Sequence, residues 1–269
     1  MTELCKTELL GNKNKFLLQY NARSNFESEN FIESGLTWED LIEIVDDYVA
    51  RNEELKALKM EYLNQIQDLT KAHSIKARIK NPERLVEKII RKVARDGIRI
   101  DKTNYLDKIT DIVGLKIIHI SRFDSISLFN QIYSKFKEQF IEDVKIKIRA
   151  GDEEHLFEPL KSFGVQIEKQ KRYRSIHYTL KAECGICVEI QTRTLFEEGW
   201  SELDHDVIYK GSKVSKRLEL YSTILSRLVG VCDDIAELMW NDDNDAEFSK
   251  LTKDHGLDKD FLYYLLRKD

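Results

Sequence analysis

Proline is nearly missing from this chain, with two in 269 residues, and glycine stands at only eleven. So little of either excludes a collagen-like, linker-rich or disordered polypeptide. No internal repeat is visible. No apolar run approaches the ~20 residues that a membrane-spanning helix needs. The segment Met1 to Lys15 lacks the apolar core of a signal peptide, and the expectation is a cytoplasmic protein that does not enter a membrane. Cysteine is scarce too: Cys5, Cys184, Cys187 and Cys232. Only Cys184 and Cys187 form a CxxC pair, and no second pair completes a zinc site. Beside Gly185, between two strand-like runs, the pair reads as small residues at a hairpin. Several nucleotide and hydrolase signatures are also missing. There is no Walker A sequence, no GxGxxG, no HExxH and no GxSxG.

What is present is a charge-rich globular composition, 42% hydrophobic and 34% charged, long enough to bury a sizeable core. The net charge of −5 argues against a general polyanion binder. Its distribution is uneven. Eleven Lys and Arg face four acids between Lys71 and Lys102, whereas Asp233 to Glu247 holds seven acids and no Lys or Arg. A basic stretch of this kind is either a solvated helix face or a site for an anion such as a phosphate chain.

The first 35 residues read as a loose arm. Thr37 with Asp40 three residues on is a helix N-cap signal, and apolar residues at helical spacing predict a long helix or a helix pair over 38–72. Pro82 suits a first helical turn, and that helix ends near Gly97. Then follow a strand at Ile112–Ile120, a helix at about Ser125–Phe140 and a strand at Val144–Arg149. The stretch Ala150 to Glu168 reads as a loop. Two strand-like runs, Arg174–Ala182 and Cys187–Thr192, are close enough to form an antiparallel hairpin. After Leu195 the pattern is helical to Met239. There Leu218, Tyr221, Leu225, Leu228, Cys232, Ile235 and Met239 recur in steps of three and four. That stripe is read most simply as core packing, with a subunit interface as the other reading. The class is α+β, with about five strands flanked by helices. One domain over 36–240 lies between the arm and an acidic tail, 241–269, with a short helix.

Polar residues crowd the strand-like runs. Glu189, Gln191 and Arg193 share one face, and so do Tyr173, Ser175, His177 and Thr179. Such a face is either a solvent-facing sheet side with ordinary cross-strand pairs or a ligand surface. Asp111, just before the apolar strand, adds a second carboxylate to Glu189. Two carboxylates from different strands suit magnesium, which keeps places for water and phosphate oxygens.

Four stretches together resemble the synthetase domain of the RelA/SpoT family: Ala77–Leu85 its R-x-K start, Ile109–Lys116 its D-I-x-G-I-R, Lys171–His177 its G-Y-R-S-L-H loop, and Val188–Thr194 with Trp200 and Leu203-Asp204-His205 its V-E-I-Q-x-R-T and W-x-x-L-E-H. The resemblance covers roughly residues 50–235. It implies a nucleotidyltransferase-like mixed sheet and transfer of pyrophosphate from ATP to the 3′-hydroxyl of GDP or GTP. It implies that Asp111 and Glu189 hold Mg2+, with Glu189 also taking the hydroxyl proton. Arg78 would stack on adenine, and Lys80, Lys88, Arg91 and Lys116 would serve ATP. Tyr173, Ser175, His177, Gln191 and Arg193 would surround the acceptor nucleotide.

Two positions depart from the family pattern. Arg172 stands where the family has glycine, and Lys116 where it has arginine. With Lys169, Lys171 and Arg174, Arg172 makes the acceptor loop strongly basic, which would suit a polynucleotide. The alternatives are therefore a toxin-like relative that pyrophosphorylates the tRNA 3′ end, and a nucleotide-sensing module without catalysis. The region before the first motif is too short for the hydrolase domain of bifunctional relatives, so synthesis without hydrolysis is expected. A homo-oligomer and an antitoxin are partner possibilities.

Overall fold

The computed structural model describes residues 11–17, 30–150, 152, 154–209 and 215–240. The arm is described only in part, and the tail 241–269 with its expected short helix lies outside these residues.

Helix α1 (Trp38–Ala50) starts on a capping box in which Thr37 and Asp40 satisfy each other's backbone amides. Of the two readings for 38–72, the helix pair is the one found: the chain breaks at Arg51, and α2 (Asn52–Ile66) follows. Helix α3 (Pro82–Asp96) begins with Asn81 as N-cap and ends at Gly97, whose φ of 65° is the left-handed geometry that favours glycine. Helix α4 (Tyr105–Lys108) is one turn.

Strands β1 (Ser74–Ile79), β2 (Val113–His119), β3 (Lys145–Arg149), β4 (Gln166–Gln170), β5 (Ser175–Lys181) and β6 (Cys187–Thr194) form one mixed sheet in the order β1-β2-β6-β5-β3-β4. Helix α5 (Asp124–Phe136) joins β2 to β3. The sheet has six strands where the sequence predicts about five. The basic stretch 74–79 is a strand rather than part of a helix or loop, and the expected loop before Glu168 contains β4. Both lie at the sheet's edges, where one side of the strand is unpaired and charged residues are tolerated. Their sequences, SIKARI and QIEKQ, therefore lack the apolar signature of the central strands.

Residues opposite one another in a sheet point to the same side. The register aligns Arg78, Gly114, Glu189 and Thr179 in one row, and Lys76, Lys116, Gln191, His177 and Lys145 in the next. Every second row is thus polar. The alternate rows, with Val113, Leu115, Ile117, Val188, Ile190, Ile176, Tyr178 and Ile146, are buried. They pack beneath α2, α3 and α5 in one core, with Phe129 and Phe140 against Tyr178.

Two helices close the chain's described part, α6 (Leu195–Asp204) and α7 (Lys216–Trp240). The apolar stripe of α7 is not core packing. Tyr221, Leu225, Leu228, Ile235 and Met239 are exposed. The buried side of α7 carries Ser222, Ser226, Gly230, Asp233 and Glu237 instead. Its seat on the body is a set of ion pairs: Arg122 with Glu237 and Asp234, Arg174 with Asp233, and hydrogen bonds from Arg149 and Thr194 to Ser226 and Asp233.

Candidate active site

The site builds on the polar face of the sheet. At its β1–β2 corner, Asp111 accepts from Lys80 Nζ at 2.5 Å and from Lys88 Nζ at 2.8 Å. Lys80 follows β1, where its amide donates to the Ile112 carbonyl and its own carbonyl takes the Tyr48 hydroxyl at 2.6 Å. Lys88 comes from the second turn of α3. Arg91 lies three residues further along that helix, on the neighbouring surface position. Burial alone would raise the Asp111 carboxyl, yet Lys80 and Lys88 outweigh it and bring it to about 2. Burial lowers the Lys80 ammonium despite the same pairing. Asp111 is therefore a buried, ionised carboxylate.

Glu189 is the second carboxylate, in the middle of β6. His177 Nδ1 lies 3.1 Å from Oε1, and Gln191 Nε2 donates to Oε2 at 2.6 Å. Burial opposes its ionisation, but the contacts with His177 and Gln191 prevail and hold it below the usual range, while the charge of Asp111 works against it. The charge of Asp111 thus reaches Glu189 across the sheet face. Burial likewise lowers His177, so the ring is neutral at pH 7. With Nδ1–H donating to Glu189, Nε2 is the acceptor that meets Ser175 Oγ at 2.7 Å and Tyr173 Oη at 3.2 Å.

Arg193 closes the far side. It donates to Gln191 Oε1 at 2.8 Å, to Ser201 Oγ at 2.6 Å, and to the Tyr173 hydroxyl. Its guanidinium carbon sits 4.9 Å from the Tyr173 ring centre, with Lys147 Nζ at 6.0 Å. Arg78 is exposed, and its stem passes 3.6 Å from where a Gly114 side chain would begin.

The polar residues expected on this face are thus brought together, with Asp111, Lys80 and Lys88 at one end and Tyr173, Ser175, His177, Gln191 and Arg193 around Glu189. Lys116 departs from its expected partnering. It is tied to α6, at 2.9 Å from Glu198 and 3.2 Å from Glu202. Lys76 also reaches Glu198, at 2.7 Å. Lys76, Lys145, Lys147 and Glu198 join this face although the motifs do not single them out. The alternation in Lys145-Ile146-Lys147-Ile148-Arg149 is the available signal for β3. Nothing in the sequence signals Glu198, which arrives from the helix.

The acceptor loop is the main revision. Arg172 points away from the sheet face: it donates to the Glu219 carbonyl at 3.3 Å and lies 3.7 Å from Asp204. Arg174 pairs with Asp152 and Asp233, and Lys169 with Glu154. Among the described residues only Lys71 has a positive φ outside glycine, so Arg172 occupies ordinary backbone. The Trp200 motif is a joint, since the indole donates to the Ser222 carbonyl of α7 at 3.0 Å. His119 is a structural residue, buried and bonded to the Ser121 carbonyl, with burial holding it down at about 4. Cys184 and Cys187 are free thiols, and burial pushes Cys187 up to about 11. No cluster of three or more His, Cys, Asp or Glu able to hold a metal occurs among the described residues. No helix among them is long and apolar enough to cross a membrane.

As a donor set, Asp111 and Glu189 fit Mg2+. Both are ionised oxygen ligands, and two rather than four leave positions for phosphate oxygens and water.

Residues 77–214 match the family model described as the region found in RelA / SpoT proteins. The chain is 26% identical over 168 residues to GTP pyrophosphokinase YwaC of Bacillus subtilis, covering 60% of this chain and 71% of that protein. Small alarmone synthetase 1 from Bacillus subtilis superposes with a TM-score of 0.50 at 19% identity, covering 75% of this chain and 96% of that one. A GTP pyrophosphokinase family protein from Streptococcus pneumoniae gives 0.48 at 21%, covering 80% and 98%. The superposition on small alarmone synthetase 1 speaks to the fold alone, and the family match spans more than half of the sequence, including Arg78, Asp111, Tyr173 and Glu189: this chain belongs to the RelA/SpoT family.

Proposed function

We infer that the protein is an ATP-dependent pyrophosphokinase that makes (p)ppGpp from GDP or GTP in stringent-response signalling. The observation that carries this reading is the pair of ionised carboxylates, Asp111 and Glu189, the charge of one reaching the other on a sheet face lined with cations. Phosphoryl-type transfer asks for positioning and charge neutralisation more than covalent help. The acceptor's 3′-oxygen forms a bond to the β-phosphorus of ATP, the bond from that phosphorus to the α,β-bridging oxygen breaks, and AMP leaves with the electron pair. Mg2+ bound by Asp111 and Glu189 would neutralise phosphate charge.

Glu189 takes the hydroxyl proton, and its hydrogen bonds to His177 and Gln191 fix which oxygen faces the acceptor. Lys80, Lys88 and Arg91 meet the phosphate chain. Asp111 balances the first two, which holds their ammonium groups in place. Arg78, whose stem lies against Gly114, offers a planar guanidinium to adenine. Tyr173, backed by Arg193, offers an aromatic surface to the acceptor base, with Ser175 beside it. Lys116, engaged by Glu198, supports the ATP side from the same sheet face.

The tRNA reading rests on a basic acceptor loop. Three of its four cations, Lys169, Arg172 and Arg174, are engaged in contacts within the chain, which favours the mononucleotide.

The test supplies purified protein with ATP labelled in its β,γ-phosphates and either GDP, GTP or tRNA. Label on a guanine nucleotide with equimolar AMP is expected, and Glu189→Gln should remove it while the circular dichroism spectrum is kept. Label on tRNA would replace this reading with the toxin-like one. No AMP with any acceptor would leave the sensing module.

A further inference from the structure

Tyr173 and Arg193 are the aromatic and the cation that meet in the acceptor half of the site. The guanidinium carbon stands 4.9 Å from the ring centre, and Arg193 donates to the Tyr173 hydroxyl. One residue comes from just ahead of β5 and the other from near the end of β6. Their meeting therefore depends on how those two segments are held together. The next residue of each segment does the holding. Arg174 follows Tyr173, Thr194 follows Arg193, and both donate to one oxygen of helix α7. Asp233 Oδ2 accepts from Arg174 Nη1 at 3.2 Å and from Thr194 Oγ1 at 3.0 Å.

We propose that Asp233 is a positioning residue for the acceptor nucleotide: through Arg174 and Thr194 it keeps Tyr173 and Arg193 in the facing arrangement that receives the acceptor base. This role rests on the proposed reaction, in which that pair serves the acceptor.

The tie is shielded from water, since Asp233, Thr194 and Arg174 are all buried. It also leaves the site free. Successive side chains of a strand point to opposite sides, so Thr194 is gripped away from the face that Arg193 lines. Arg174 likewise turns to Asp233 and Asp152, whereas Tyr173 turns to His177 and Arg193. Stability does not account for the arrangement. Asp233 Oδ1 has no hydrogen-bond partner among the described residues, and burial raises the carboxyl to about 6. A carboxylate so costly to bury supplies geometry more than stability. Its place in the chain is beyond residue 214, where the family match ends, so the motifs give no sign of it.

The surroundings set how the tie responds to pH. Arg174 ahead of β5, Arg149 at the end of β3 and Arg122 ahead of α5 favour the ionised form of Asp233. Each is shared with another acid: Arg174 with Asp152, Arg149 with Glu197 of α6, and Arg122 with Asp234 and Glu237 of α7. Cys232 adjoins Asp233, and burial pushes its thiol up.

Initial rates of AMP release, with GDP and ATP varied in turn, test this role. Asp233→Asn should raise the KM for GDP roughly tenfold, the size of one charge-assisted hydrogen bond. The KM for ATP, and kcat at saturating GDP, should stay within about twofold of wild type. A merely structural loss would lower kcat through the active fraction and leave both KM values in place, which overturns the proposal. The effect should also follow pH. Asp233 is ionised at about pH 8 and largely protonated at about pH 5. The ratio of variant to wild-type KM for GDP should thus shrink toward one at the lower pH, the nucleotide's own titration cancelling in the ratio. A ratio that ignores pH overturns the role as well. Should Asp233→Asn fail to fold by circular dichroism, Arg174→Gln cuts the same tie and must give the same split between GDP and ATP. No AMP release from the wild type with any guanine nucleotide would sink the reaction and this role with it, whereas turnover with an unmoved KM for GDP in Asp233→Asn sinks this role alone.

Discussion

Replacing Asp111 by asparagine removes one charge and almost no volume, and the contacts give the size of the effect. Asp111 is the shared acceptor of Lys80 and Lys88, with side chains 13%, 10% and 25% exposed. The fall of its carboxyl from 3.8 to about 2 corresponds to roughly 2 kcal/mol in favour of the folded state. Burial of the Lys80 ammonium offsets part of this, since its own value is pulled down. The neutral amide would leave Lys80 and Lys88 facing each other, so the loss stays near 2 kcal/mol rather than falling to zero. The sign with pH follows from the direction of the shift. An acid depressed on folding stabilises above its unfolded value, and that share is lost as pH falls through the folded value. The deficit of Asp111→Asn should therefore be full at pH 7 and roughly half as large at pH 3. Urea denaturation of both proteins at the two pH values measures it. An unchanged midpoint at pH 7, or a deficit of the same size at pH 3, refutes the pairing. Activity gives a second readout: Asp111→Asn should abolish AMP release, whereas Lys88→Gln should weaken ATP binding and leave some turnover.

Other perturbations separate packing from chemistry. Helix propensity alone makes Gly230→Ala stabilising by about 1 kcal/mol. Its new Cβ, however, would lie 2.7 Å from Arg149 Nη1, and Arg149 is fixed by Glu197, Ser226 and the Arg172 carbonyl. A net loss of about 1–3 kcal/mol is expected in denaturant, and a gain would mean that α7 sits elsewhere. Arg172→Gly restores the family's residue but removes the contacts to Glu219 and Asp204. It should cost about 1–2 kcal/mol without altering the choice among GDP, GTP and tRNA in a competition assay; a switch of acceptor would contradict the placement of that side chain. His177 is held neutral by burial, below its ordinary 6.5. Its contribution is full above that value and declines as pH drops below it, because the unfolded chain takes up the proton first. The stability of His177→Gln should consequently fall less than that of the wild type between pH 7 and pH 5, and parallel curves would count against a neutral ring.

The central strands were legible because both their faces carry signal: apolar residues beneath, and a run of polar residues at every second position above. The pairing of Thr179 with Glu189 and of His177 with Gln191 follows from that alternation once the hairpin is granted. The edge strands were not legible, since half of each strand's hydrogen bonds have no partner to match and their side chains look like those of a loop or a basic helix. Asp111 and Glu189 could be named from the sequence. The partners that set their charge state, Lys80 and Lys88 for one and His177 and Gln191 for the other, required the fold. Helix α7 misled most. Its heptad stripe is what a core helix shows, and periodicity says only that one face is apolar, never which way that face turns. The direction is decided by Arg122, Arg149 and Arg174, which draw Glu237, Ser226 and Asp233 inward from 115, 77 and 59 residues away along the chain.

Buried ion pairs of this kind are weak sources of stability, because desolvation consumes much of their attraction. Asp233 shows it: burial raises its carboxyl to about 6 even with Arg174 beside it. What such pairs do supply is geometry, since a buried charge displaced from its partner is costly. Arg174 follows directly on Tyr173, and the Arg172 carbonyl accepts from both Arg149 and Ser226. The backbone on either side of Tyr173 is thereby fastened to α7, and the position of the ring over the sheet face and the seating of α7 become a single variable. A substitution on the polar side of α7, far from Asp111 and Glu189 in sequence, is accordingly read first in the acceptor half of the site. The Lys80–Asp111–Lys88 corner, built from β1, α3 and the start of β2, shares none of those contacts.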